Sequence, residues 1–231
     1  MPVFWLDEEE CTFPPAQWAS PEGVLAIGGD LSAVRLLTAY RNGIFPWFNE
    51  GDPILWWSPD PRFVLFPDEL KVAKSMRPYF NQGKFSVTYD TCFERVIREC
   101  QARTRESLER GRQAGTWITE EMVEAYVNLH NLGHAHSVEV WQEGQLVGGL
   151  YGLALGRIFF GESMFSLVSN ASKFGFISLV RRLSSSGYRL IDCQQETPHL
   201  ESLGARAIPR ETFLDFLKKN ERENTETGKW T

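Results

Sequence analysis

HSVEVWQEGQLVGGLYGLALGRIFFGESMF, residues 136 to 165, holds three strand-like runs separated by two short turns. The first run, His136 to Gln142, alternates polar and apolar side chains, as a strand with one face on a core does. Glu143-Gly144-Gln145 turns the chain. Leu146 to Leu155 then reads as a strand loosened by Gly148, Gly149 and Gly152, Gly156-Arg157 turns again, and Ile158 to Phe165 is a third strand. Strands joined this tightly form an antiparallel meander.

Helices flank the meander. Before it, residues 116–133 carry Thr119 as a cap, Glu120 and Glu121 in the first turn, Met122, Ala125, Tyr126 and Leu129 on one face, and Gly133 as a stop. After it, residues 169–187 form a helix apolar almost all round in its middle, hence buried, and residues 188–194, YRLIDCQ, return as a strand. A meander followed by a crossover helix into a neighbouring strand resembles the core of the Gcn5-related acyltransferases. Acetyl-transferring members of that class cradle a pyrophosphate with a turn of the form [QR]-x-x-G-x-[GA]. The equivalent stretch here, SMFSLVSNASKFG (163–175), has no such glycines, so coenzyme A is not expected and a different acyl donor is.

The first sixty residues read as loop-rich with one clear helix, capped by Ser32, with Val34, Leu36, Leu37 and Tyr40 as its apolar face and Asn42-Gly43 as its end. A loop of prolines and tryptophans follows, residues 42–62, holding Trp47, Trp56 and Trp57. From Arg62 the pattern changes: residues 63–67 and 85–89 read as short strands, and 91–102 as an amphipathic helix turning Phe93, Val96, Ile97 and Cys100 inward. The charged stretch 104–115 reads as an exposed loop, and Ile208-Pro209 introduces a last helix. The expectation is an α+β protein: a small N-terminal α/β domain, 1–60, packed on a larger domain, 61–231, of the acyltransferase type.

With 231 residues, 42% of them hydrophobic, the chain can build a real core. No window approaches the ~18 uncharged apolar residues of a membrane span. The start, MPVFWLDEEE, has acids where a secretory signal needs basic residues, so a cytoplasmic protein with no membrane partner is expected. Cys11, Cys92, Cys100 and Cys193 are spaced too irregularly for a zinc site or a disulfide scaffold and are read as reduced thiols. A net charge of -6 argues against a nucleic-acid coat, yet Lys71, Lys74, Arg77 and Lys84 stand in a stretch without acids, so one basic face on an acidic molecule remains open.

Two places carry chemistry. Asp192 ends a strand and Gln194 follows two residues on, sharing a face if the strand continues; they are either a functional pair or a turn cap and a surface residue. Glu162 is a carboxylate inside an apolar strand, either a structural acceptor or a site residue. His130, His134 and His136 span a helix end and a strand start with no carboxylate or cysteine set, which argues against a metal site. His199 is a base or a structural histidine, and Cys193 reads as a packed residue.

The blocks GGDLS, GIFPWF, DPILWWSPDPR, GTWIT, LVGGLYG, FFGESMFS, NASK, LIDCQ and HL.SLGA, in this order and spanning nearly the whole chain, resemble the bacterial leucyl/phenylalanyl-tRNA-protein transferases. The resemblance implies transfer of leucine or phenylalanine, less readily methionine, from aminoacyl-tRNA to the N-terminal arginine or lysine of an acceptor protein, marking it for degradation. It implies no cofactor and no metal, because the donor ester is already activated and the nucleophile is the acceptor's amine. A monomer is expected. Asp192 and Gln194 are implied as the catalytic pair, Asp192 polarising Gln194 and Gln194 binding the amine. Trp47 and Trp117 are implied at the aminoacyl-adenosine end, and Met164, Phe176, Leu179 and Ile191 in the side-chain pocket. Glu162 would meet the acceptor or the donor's ammonium, and Lys71, Lys74, Arg77 and Lys84 the tRNA phosphates. Two other readings compete: a cell-wall peptidyltransferase, which would want a duplicated domain, and a tRNA-binding module, which leaves Asp192, Gln194 and Glu162 unexplained.

Overall fold

The structure, a computed structural model, describes residues 3–109 and 117–231, and their side chains except those of 105–109. Two sheets organise them. The smaller comprises β1 (Phe4–Leu6), β2 (Val24–Gly28), β3 (Phe45–Pro46) and β4 (Leu55–Trp57), in spatial order β1-β2-β4-β3, with α1 (Ala33–Arg41) connecting β2 to β3. The larger has seven strands: β5 (Arg62–Leu65), β6 (Ser86–Tyr89), β7 (Ala135–Gln142), β8 (Gln145–Leu155), β9 (Ile158–Ser166), β10 (Leu190–Gln194) and β11 (Arg206–Ile208), in the order β11-β5-β10-β9-β8-β7-β6. Around it lie α2 (Arg77–Asn81), α3 (Phe93–Glu109), α4 (Glu120–Asn131), α5 (Ala171–Ser185), α6 (Pro198–Glu201) and α7 (Arg210–Asn220).

The meander forms as its pattern requires. β7, β8 and β9 are antiparallel neighbours, and Glu143 and Gly144 both take positive φ in the two-residue turn between β7 and β8. Gly149 has no room for a Cβ, which would lie 2.7 Å from the Val138 carbonyl and 2.9 Å from the Phe165 ring. α5 then crosses over and returns the chain to β10, parallel to β9. α3 and α4 cover one face of the large sheet, where Phe93, Val96, Ile97, Met122, Tyr126 and Leu129 are buried; α5 covers the other with Phe176, Ile177, Leu179 and Val180. Thr119 caps α4 through its hydroxyl, accepting from the Met122 N–H, and Ser32 caps α1 the same way toward Arg35.

Three expectations need correction. The first sixty residues are loop-rich as expected, but the tryptophan segment is not all loop: the whole smaller sheet lies among them, and Trp56 sits in its interior strand, paired with Ala26 on one side and Pro46 on the other. Only the short stretch between Pro53 and Pro59 has to extend, and Pro46, which lacks an N–H, falls in the edge strand β3. Val34 faces solvent, 64% exposed, while its neighbour Arg35 is fully buried, donating to the carbonyls of Asp7, Glu8 and Glu10. The acidic N-terminal run is thereby fastened to α1. Finally, α3 runs on through Glu109 where a loop is expected from residue 104, because residues 104–109 contain good helix formers and no glycine. The rest of the arginine-rich segment, 110–116, lies outside the described residues.

Candidate active site

β9 and β10 pair for three residues, Ile158 to Phe160 against Leu190 to Asp192, and then separate. A β-bulge ends β10. One extra residue stands between Asp192 and Gln194 relative to β5, and Gln194 takes φ +61°, a left-handed conformation uncommon outside glycine. The gap opens into a cavity of about 570 Å³. Its walls come from β8, β9, β10, α3 and α5, and from the β3 strand of the small sheet.

Glu162 lies in this gap. The Gln194 side-chain amide donates to its Oε1 at 2.9 Å, the Tyr40 hydroxyl donates to the same oxygen at 2.7 Å, and the Tyr126 hydroxyl donates to Oε2 at 3.0 Å. The Tyr40 and Tyr126 hydroxyls are also within hydrogen-bond reach of each other, and since each carries one proton, a bond between them takes the place of one of the two to Glu162. Burial pushes the Glu162 carboxyl up to about 7; the nearby Asp192 charge adds to the rise, and the tyrosine and glutamine hydrogen bonds offset part of it. Both phenols are held well above the ordinary tyrosine range, by burial first and by Glu162 second, so they remain donors. The Tyr151 hydroxyl, fully buried on the same wall, has no hydrogen-bond partner among the described residues.

Asp192 is placed differently from the expectation. It is fully buried, and Arg62, also fully buried, donates to both its oxygens, from Nε to Oδ1 at 2.8 Å and from Nη2 to Oδ2 at 2.6 Å. Oδ1 also accepts the Gln194 backbone N–H at 3.0 Å. Because the bulge breaks the strand, Asp192 meets Gln194 through the main chain, and the carboxylate that the Gln194 side chain meets is Glu162.

Met164, Phe176 and Ile191 line the cavity with Phe159 and Leu150 as an apolar lobe. Leu179 is fully buried in the core cluster with them and is not among the lining residues. Trp47 and Trp117 both line the cavity and both are partly exposed. Trp47 leans on Trp57, ring centroids 5.4 Å apart, and its carbonyl accepts the Trp57 indole N–H at 2.7 Å. The Trp56 indole instead donates to the Gly28 carbonyl inside the small sheet. Of the three tryptophans in that segment, Trp47 is the one on the cavity wall.

Lys71, Lys74, Arg77 and Lys84 are all exposed along the segment that crosses α2. Lys84 stands over the Tyr79 ring, 5.2 Å from its centroid. His130 stacks on Phe93 and bonds the Ala135 carbonyl, His136 bonds Asp90 and stacks on Trp230, and His130 Nδ1 also lies 3.9 Å from the Asp90 carboxylate. Among the described residues no group of three His, Cys, Asp or Glu side chains is arranged to hold a metal ion. His199 lines the cavity, its basicity lowered by burial and then by Lys173, and burial raises the Cys193 thiol. Tyr40, Tyr126 and Arg62 were not legible as site residues. Both tyrosines occupy apolar helix positions, and nothing in the sequence around Arg62 sets it apart from the other arginines of the chain.

A meander, a crossover helix and a gap between two parallel strands, floored by a carboxylate, follow the order expected of a Gcn5-related acyltransferase. Among known proteins, residues 64–218 match the family model described as leucyl/phenylalanyl-tRNA protein transferase, and residues 29–60 match the model of that family's N-terminal domain; the chain belongs to this family. A leucyl/phenylalanyl-tRNA--protein transferase from Pseudomonas fluorescens (strain Pf0-1) is 59% identical over 218 residues, 94% of each chain. Its counterpart from Myxococcus xanthus (strain DK1622) is 55% identical over 232 residues, covering 100% of this chain and 97% of that one. A GCN5-related N-acetyltransferase from Kribbella flavida is a distant structural likeness, at 10% identity and a TM-score of 0.33 over 74% of this chain and 59% of that one. The fold assignment therefore rests on the strand order itself. No helix among the described residues is long and apolar enough to cross a membrane.

Proposed function

We infer that the chain transfers leucine or phenylalanine from aminoacyl-tRNA to the N-terminal arginine or lysine of an acceptor protein. The observation that carries the chemistry is the contact of Gln194 with Glu162 in the strand gap, beside the apolar lobe. The acceptor's α-amine, with an ordinary pKa of about 7.7 to 8, is largely protonated at neutral pH. A carboxylate near 4 is a poor base for it, but one raised to about 7 is well matched. In the proposed step Gln194 and Glu162 hold the amine, the amine nitrogen attacks the ester carbonyl carbon, and a C–N bond forms as the C–O bond to the ribose breaks. Glu162 takes the free amine's proton as the C–N bond forms and passes it to the ribose oxygen, which leaves as a hydroxyl.

Met164, Phe176 and Ile191 support a pocket for the donor's side chain, with Leu179 behind them. An apolar pocket separates similar apolar side chains by only about 1–3 kcal/mol, which fits acceptance of leucine, phenylalanine and, less readily, methionine. Trp47 and Trp117 are proposed to border the terminal adenosine, and Lys71, Lys74, Arg77 and Lys84 to contact tRNA phosphates. A division near residue 60 is proposed as well, between the end of β4 at Trp57 and the start of β5 at Arg62, with the chain acting as a monomer.

The test is transfer of radiolabelled phenylalanine from its tRNA to two peptides, one starting with arginine and one with glycine. Label on the arginine peptide alone is expected. Label on neither would favour a tRNA-binding module.

A further inference from the structure

We propose that Arg62 is a positioning residue for the transfer: by gripping both oxygens of Asp192 it fixes the Gln194 turn that carries the glutamine side chain to Glu162. The inference rests on the reading above, in which Gln194 and Glu162 hold the amine.

Arg62 is the first residue of β5 and fully buried, and it meets Asp192 with two side-by-side hydrogen bonds, the most directional contact an arginine makes with a carboxylate. Its own place is fixed on three other sides. The guanidinium lies 4.8 Å from the Phe45 ring centroid and 4.6 Å from that of Phe213, and Nη1 donates to the Gly43 carbonyl at 3.2 Å. Gly43 and Phe45 come from the small sheet's side and Phe213 from α7, so one side chain ties three parts of the molecule to the end of β10.

Asp192 passes this constraint on. Its Oδ1, already bonded to Arg62 Nε, accepts the Gln194 N–H, and that N–H belongs to the residue at φ +61°. A non-glycine residue keeps such a conformation only where its surroundings fix it. The next amide, of Gln195, turns back to the Cys193 carbonyl at 2.6 Å and completes a tight bend. Without the bend, β10 would continue as a strand and the Gln194 side chain would not stand at the mouth of the gap. With both carboxylate oxygens so engaged, Asp192 is read as an organiser. A buried ion pair is in general poor evidence of stability, since apolar residues of similar volume often replace one without loss. That property separates a positioning role from a structural one.

The experiment compares the wild type with Arg62→Lys and with the double variant Arg62→Met/Asp192→Leu, which removes the pair without stranding a charge. Each is measured by thermal melting and by the kcat and KM of phenylalanine transfer to an arginine-starting peptide. The double variant is expected to melt near the wild type and to lose about a hundredfold in kcat, the scale of one lost preorganised contact. Its KM values for tRNA and peptide should change by less than about threefold, because both side chains of the pair are fully buried. Lysine keeps the charge but not the fork, so Arg62→Lys should fall between, with kcat down about tenfold. A folded double variant with wild-type kcat, or a loss confined to KM, overturns the proposal. If the double variant does not fold, a wild-type kcat in Arg62→Lys does so instead. An active wild type with unaffected variants overturns this inference alone, whereas a wild type that transfers nothing overturns the activity beneath it too.

Discussion

Gln194 and Glu162 meet side chain to side chain at 2.9 Å, one from the bulged end of β10 and the other from β9 just past the last residue that pairs with it. Two parallel strands that continued to pair would leave no room between them. Here main-chain pairing stops, and the side-chain bond spans the opening. Substrate atoms can therefore reach a glutamine amide and a carboxylate of unusually high pKa at one place.

Tyr40 and Tyr126 tune that carboxylate. Their hydrogen bonds favour its ionised form and so pull its pKa down against burial. Tyr40→Phe and Tyr126→Phe should each move the acid limb of transfer to higher pH, slowing the reaction most at and below neutrality and least in mildly alkaline buffer. Transfer rates across pH for the three proteins check this; parallel losses at every pH would show that the phenols act in some other way.

Trp47 and Trp56 should separate binding from stability. Trp47→Ala should raise the KM for aminoacyl-tRNA by the equivalent of roughly 1–3 kcal/mol, the range for one base stacked on an aromatic ring, with little change in melting temperature. Trp56→Ala should cost about 3–5 kcal/mol of stability and leave the KM of the folded enzyme near normal. Denaturation curves and steady-state kinetics on both variants settle the assignment.

The basic face should announce itself in salt dependence. Reversing Lys71, Lys74, Arg77 and Lys84 to glutamate should weaken tRNA binding and flatten its slope against log salt by about one unit per lost phosphate contact. Transfer from a short aminoacyl-adenosine analogue should stay nearly intact. Equal losses with both donors would refute the phosphate assignment.

Much of this fold was legible because periodicity and punctuation agree along residues 116 to 194. Caps, glycine stops and alternating runs placed α4, β7, β8, β9, α5 and β10. The small sheet was not legible, because its strands are two to five residues long, one contains Pro46 and another lies between Pro53 and Pro59, so no period can establish itself. At the site, Glu162 stood out as a carboxylate in an apolar strand, and Gln194 by its two-residue spacing from Asp192. Tyr40 and Tyr126 did not: a tyrosine on a helix's apolar face fits a core, and nothing local tells that two hydroxyls 86 residues apart share one carboxylate. Asp192 and Gln194 do not share a face because two-residue spacing gives that only in a regular strand, and a bulge breaks the period.

The central claim is that Glu162 takes the proton from the attacking amine. Its carboxyl is raised from the ordinary 4.5 to about 7, so it is protonated and inactive as a base below that pH and ionised above it. The direct measurement is the single-turnover rate of phenylalanine transfer against pH for the wild type and Glu162→Gln. The wild type should rise through about 7 and level off once the acceptor amine, near 8, is also free. Glu162→Gln should be slower by about 10²–10⁴-fold and keep only the amine's limb. A Glu162→Gln enzyme with wild-type rate and an unchanged acid limb would contradict the account.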